Sequence, residues 1–466
     1  MEVLLKQFEG QKVALYGLST ETERFLEIYG KQISVIGLLD GFREEGDIFG
    51  LPIMSINHIV EEQVKLIIVI ARPGSCKAIE KKIGKICSDN HISLYDMRGK
   101  NLLDYKKTMV SSNQLKTFFN YQKKGTNISN GVKIDLFLER LENICALKEE
   151  RLKVYNAYDI GYLFIAPIII DFILWFHKMV RQYNIPNIWF GARDGYLIQK
   201  MYHMLAGDND TTYFLTSRIA AIRAGIDKKE DIQYVSDMKF SGTIEQAMKE
   251  RFGISIEYLQ EKPSSYEQEN YLNYEKIIFE KVTNVRNGYK EYIKQLKLKE
   301  GDIAFFDFVA KGTTQYFMDR LVENHIKGLY FLQLETNIKV DVISFYTEEK
   351  RNESAIFEDY YILETVLTSS EPSLIEFSKK GEPIYAQETR LKEDIQCIER
   401  MQKGIIDCYK KYLERCPMEE RKINKKLDEY FLRLIHNVEI QDVDFLRLQV
   451  EDPFFNRRTS IIDVIE

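Results

Sequence analysis

The 466-residue sequence predicts an α/β protein built from two separate parallel-sheet units, and three observations carry that prediction. Apolar runs of strand length alternate with amphipathic helical stretches in two places, residues 12–98 and 186–335. One of these runs, residues 64–71 (VKLIIVIA), is apolar throughout, as strands buried on both faces are. The net charge of −6 is spread over interspersed acids and bases, in an ordinary globular composition.

The first unit opens with a strand over 12–16 that Gly17 turns. Thr20-x-x-Glu23 reads as a capping box starting a helix to Tyr29. Strands follow over 33–39, closed by Asp40-Gly41, then over 64–71 and 92–97, giving a small doubly wound domain over 1–100. Its first turn holds one glycine where a dinucleotide fingerprint has three, although Asp40 stands where a ribose-binding acid would. Docking or scaffolding is the other reading of this domain.

Residues 101–154 are polar, then helical, and read as a linker with a lead-in helix. The second unit, 155–385, has strands over 188–191, 211–215, 303–306 and 329–334. A charged, tyrosine-rich helical insertion interrupts it at about 225–300. From residue 386 the chain is a helical C-terminal cap, with Ile395, Ile398, Ile405, Cys408 and Tyr412 on one face.

Several classes are excluded. No basic stripe marks a nucleic-acid partner. The six cysteines (76, 87, 145, 397, 408 and 416) form no C-x-x-C pair, as expected of reduced thiols. The N-terminus MEVLLKQFEGQKVAL carries an early acid and no long apolar core, unlike a signal peptide. The apolar stretch 160–180 contains Pro167 and Asp171. A charge at mid-bilayer costs about 3 kcal/mol, so a buried core helix is expected, in a cytoplasmic protein rather than a transmembrane one. His177 and His203 lie on apolar helical faces and read as core or surface histidines.

Chemistry concentrates in residues 301–321, GDIAFFDFVAKGTTQYFMDRL. An apolar strand ends on Asp307, and a loop closes on Gly312-Thr313-Thr314 before a helix. Free N–H groups and two hydroxyls at such a turn suit a phosphate, and the acid five residues earlier suits a sugar's vicinal hydroxyls. A plain turn capped by Thr313 is the alternative.

This segment resembles the phosphoribosyl-pyrophosphate (PRPP) motif of type I phosphoribosyltransferases. Asp307 falls on the second of that motif's two acids; Phe306 replaces the first, and Lys311 replaces the threonine before the glycine. A wider resemblance, over about 155–385, is to bacterial polysaccharide-biosynthesis proteins often labelled HAD-like hydrolases. It rests on Gly161-Tyr162 with Pro167, GARDGYLIQKMY, Thr216-Ser217-Arg218, FDFVAKGTTQ, and LETVLTSSEPSLIEF at 363–377. Residues 1–100 resemble the Rossmann-like N-terminal domains appended to bacterial sugar-modifying enzymes.

The resemblance implies a glycan phosphoribosyltransferase that moves ribose 5-phosphate from PRPP to a sugar hydroxyl in capsule or O-antigen synthesis, giving a ribofuranoside. Mg²⁺ would be bound mainly through PRPP. Asp307 would hold ribose hydroxyls; Lys311, Gly312, Thr313 and Thr314 the 5′-phosphate; Arg193, Asp194, Gly195, Ser217 and Arg218 the pyrophosphate. Glu364 would be the acceptor-side base, against a plain role as a solvated helix residue. The glycan acceptor, including lipid-linked forms, would place the protein peripherally at the inner face of the membrane. A separate phosphatase is implied, because the fused one is missing: Asp208-x-Asp-x-Thr212 follows a turn rather than a strand, and Asp442-Val-Asp444 lacks the threonine. Two other readings stand: a nucleotide-sugar glycosyltransferase with its site split between the units, and a non-catalytic scaffold of a polysaccharide assembly.

Overall fold

The computed structural model describes all residues except 42, 72, 98, 104–108, 145–150, 208–210, 239, 241, 256–270, 335, 348–355, 453–456 and 466. Cys145 and the first residues of the Asp208–Thr212 motif lie outside the described residues. The chain is mixed α/β with parallel sheets and divides into two compact units, Met1–Thr108 with Ser460–Glu466, and Met109–Thr459.

In the first unit the parallel strands β1 (Lys12–Tyr16), β2 (Ser34–Leu39), β3 (Leu66–Val69) and β4 (Ser93–Asp96) take the order β2-β1-β3-β4. Strand β3 is fully buried because helices cover both faces. The helix Thr20–Tyr29 is capped by position, at Ser19, so Thr20 is its first residue and not the cap of a capping box. Thr22 instead donates its hydroxyl to the Gly17 carbonyl at 2.9 Å. The last turn, Ile461–Ile465, packs on helix Pro73–Asp89, so the chain's end belongs to this unit rather than to a C-terminal cap.

The second unit holds β5 (Asn187–Gly191), β6 (Thr211–Phe214), β7 (Ile303–Ala310), β8 (Ile326–Gln333) and β9 (Val342–Thr347), all parallel, in the order β9-β8-β7-β5-β6. Side chains alternate across β7. Phe306 packs with Phe172, Phe176 and Phe190 on one face. Phe305 points to the other, where Trp189 stacks on Phe214 at 3.9 Å. Fully burying such side chains contributes about 1.5–3 kcal/mol each.

The one described helix long and apolar enough to cross a membrane, Ala157–Gln182, is core: 83% of its apolar window is buried within the protein. Asp171 is answered there by Lys133 at 2.6 Å, which also pairs with Asp428 at 2.9 Å, all at 1% exposure or less. Burial and the neighbouring Asp171 hold the Asp428 carboxyl well above the usual range. Of the other sequence motifs, Asp442 caps helix Val443–Leu446 and Asp444 pairs with Arg400 at 3.0 Å, both structural tasks. The described cysteines are free and buried. Burial pushes the thiols of Cys397 and Cys408 up to about 12, so they are inert at neutral pH.

Candidate functional site

In a doubly wound sheet, ligands meet the carboxyl ends of the strands where the strand order reverses. Here the chain runs outward from β5 to the edge strand β6, then returns to β7 and proceeds to β8 and β9 on the other side. The switch point therefore lies between β5 and β7. The residues that leave β5 are Ala192, Arg193 and Asp194; the acid near the end of β7 is Asp307.

Asp307 does not end its strand, as the sequence reading has it. Strand β7 continues to Ala310, paired with β8 as far as Gln333. On the β5 side, pairing stops at Phe306–Phe190, so Asp307 is the first residue of β7 with an open flank. The Phe308 N–H donates to its Oδ1 at 2.8 Å. Phe306, which replaces the first acid of the resembled motif, is buried on the opposite face, where a carboxylate would face only phenyl rings.

Four charged groups sense one another here. Burial first, and then the charge of Asp194, push the Asp307 carboxyl up to about 7 against the opposing Phe308 N–H and Arg218. Burial pushes Asp194 up to about 6, opposed by Arg193 and Arg218. Two half-buried carboxylates thus stand within electrostatic reach of each other, with Arg218 near both and Arg193 near Asp194. Asp194 is the N-cap position of helix Gly195–Ala206, makes no side-chain cap bond, and Gly195 is buried at the helix start.

The other predicted residues divide by what already holds them. Ser217 caps helix Arg218–Gly225 through the Ala220 N–H and donates to the Leu374 carbonyl at 2.7 Å, which places Arg218 rather than offering a free hydroxyl. Gly312, at φ +86°, is the N-cap of the short helix Thr313–Met318, so Thr313 is not the cap. A Cβ at 312 would sit 2.6 Å from Val340 Cγ2, and only glycine takes that backbone without strain. Thr313 Oγ1 lies 3.0 Å from the Tyr234 hydroxyl, Thr314 is buried, and Lys311 is exposed. Glu364 is half-buried on helix Ile356–Leu367, which packs against β7.

Sequence reasoning missed three residues. Tyr234 bonds Thr313 and feels the charge of Arg218, which links the glycine turn to the charged residues. The Tyr213 hydroxyl donates to Ser369 Oγ at 3.3 Å, and Asp194 acts on it. The Ser369 N–H donates to the Arg193 carbonyl at 3.2 Å. These contacts join segments far apart in the chain; Ser369 lies in the segment LETVLTSSEPSLIEF, and nothing local in the sequence marks Tyr213 or Tyr234.

No protein-family model matches the chain, and no curated protein matches it.

Proposed function

We propose that this protein is a glycan phosphoribosyltransferase, acting on PRPP at the switch point between β5 and β7. The supporting observation is the convergence there of Asp194, Asp307, Arg193 and Arg218, linked through Tyr234 to the turn at Gly312. On this reading the second unit is a phosphoribosyltransferase-like sheet and the first a Rossmann-like accessory domain.

Arg193 and Arg218 would neutralise the pyrophosphate as it leaves the anomeric carbon. Asp307 would accept hydrogen bonds from ribose hydroxyls and favour the positive charge that develops on the ring. Lys311 and the first N–H groups of Thr313–Met318, which have no acceptor within the helix, would hold the 5′-phosphate. Glu364 would take the proton from the acceptor hydroxyl. Asp194 and Asp307 repel each other's charge, and a nearby dication would relieve that repulsion. Among the described residues no group of three or more His, Cys, Asp or Glu converges, so most of its ligands would come from the donor. Mg²⁺ bound there with PRPP would supply neutralisation of the pyrophosphate.

Pyrophosphate release from PRPP–Mg²⁺ in the presence of glycan acceptors tests the proposal. Release by the wild-type protein, with none of UDP from UDP-sugars, is the expected result. UDP release without pyrophosphate release would favour the nucleotide-sugar alternative.

A further inference from the structure

We infer that the groove beside the switch point binds the acceptor, and that the acceptor is an anionic saccharide; its role as an acceptor site rests on the phosphoribosyl-transfer reading. The groove encloses about 410 Å³ between helix Gly195–Ala206, residues 368–370 and helix Lys392–Arg415. Ser369 ties it to the charged residues at the switch point. Ser369 lines it and bonds both Tyr213 and the Arg193 carbonyl, and Tyr196, on another wall, packs edge-on to Tyr213 at 6.1 Å.

One group in the lining asks for a ligand. Thr368 is 9% exposed, yet its buried hydroxyl has no hydrogen-bond partner. An orphaned buried hydroxyl is costly, and a turn of the Thr368 side chain toward the groove it lines would let a bound hydroxyl or anion satisfy it. Ser369 and Ser370 stand beside it, all three in the segment LETVLTSSEPSLIEF.

The rest of the lining sets the ligand's class. Half-buried Ile395 and Ile406 offer apolar surface suited to the C–H faces of a sugar ring. Among the charged lining residues, Lys200, Arg390, Lys403 and Lys410 face only Glu399 and Asp407. Arg390 is held by Glu388 and the carbonyls of residues 369–371, and Lys403 by Asp407 at 2.5 Å. Lys200, bonded to the neutral Tyr196 hydroxyl, and Lys410 are both exposed, and among the described residues no ion pair answers their charge. To them a uronic-acid carboxylate and a sugar phosphate are the same chemistry.

Calorimetric titration of the full chain with trigalacturonic acid, N-acetylglucosamine 1-phosphate and neutral maltotriose tests this. At least one anionic probe should bind saturably and maltotriose should not; which probe binds tells carboxylate from phosphate. Lys200→Ala/Lys410→Ala should weaken that probe about tenfold. Thr368→Val should weaken it too, with thermal stability unchanged or raised, because the lost hydroxyl had no partner in the free protein. PRPP–Mg²⁺ affinity should stay at the wild-type value in both variants. Failure of both anionic probes, equal binding of maltotriose, or indifference to both variants overturns the groove and leaves the donor reading intact if PRPP still binds. Saccharide binding without PRPP binding overturns the donor reading, and with it the groove's role as an acceptor site.

Discussion

The two sheets of this protein are wound alike, and what stands at their switch points separates them. In the first unit the reversal lies between β1 and β3, whose following residues are Gly17 and Ile70. A Cβ on Gly17 would sit 2.6 Å from the Ile70 carbonyl oxygen, so backbone closes on backbone where a ligand would enter. Asp40, at the end of β2, accepts the Arg43 N–H at 3.1 Å. In the second unit the same position holds two carboxylates, Asp194 and Asp307, both pushed up by burial, with Arg218 acting on both and Arg193 on Asp194. Topology alone thus marks two places, and on the proposed reading the side chains at the second are the ones that do chemistry.

The largest effect that would break this contrast is on turnover. Asp307→Asn keeps the size and removes the charge, and should lower pyrophosphate release about ten- to a hundredfold, since a charge-assisted contact is worth about 1.5–3 kcal/mol. Wild-type turnover in this variant would make the acid structural.

A mutation at the first switch point should do the reverse. Gly17→Ala, at φ +129° and against the Ile70 carbonyl, should destabilise the first unit by about 1–3 kcal/mol. Hydrogen exchange of β1 reads this. PRPP affinity in the second unit should stay unchanged, and a parallel loss of both would point to a site shared by the two units.

A smaller effect concerns pH. Asp307 is raised when folded, to about 7 against about 3.9 unfolded. Its raised value favours the folded state fully only below the unfolded value, and that advantage is lost as pH rises through about 7. Asp307→Asn should therefore stabilise the protein at pH 8 and matter little at pH 4. Discounted for partial exposure, the gain is about 1 kcal/mol, read from urea midpoints at the two pH values. An equal effect at both would mean the carboxylate is not held in a charged, desolvated recess. Asp40→Asn, the control at the first switch point, should change donor affinity by less than about 0.5 kcal/mol.

Much of the fold was legible because strands buried on both faces are long apolar runs; β3 and β5 declare themselves that way. Strand β9 was not read, because as an edge strand it is only half-buried. Strand β7 reads as ending at Asp307, because a charge interrupts the apolar run, yet Phe308, Val309 and Ala310 continue the strand. Within the candidate site, Asp194, Arg218 and Asp307 stand out in the sequence because they lie in motifs at the ends of apolar runs. Tyr234 and Ser369 were not, because they reach the site only through the packing of helix Lys229–Ser236 and the turn after helix Ile356–Leu367.

The most direct measurement is diffraction from crystals soaked with ribose 5-phosphate and Mg²⁺. The ribose should lie against Asp307, with its phosphate at residues 311–314. Ligand found only beside Gly17 and Asp40, or none at saturating concentration, would contradict the assignment of chemistry to the second switch point.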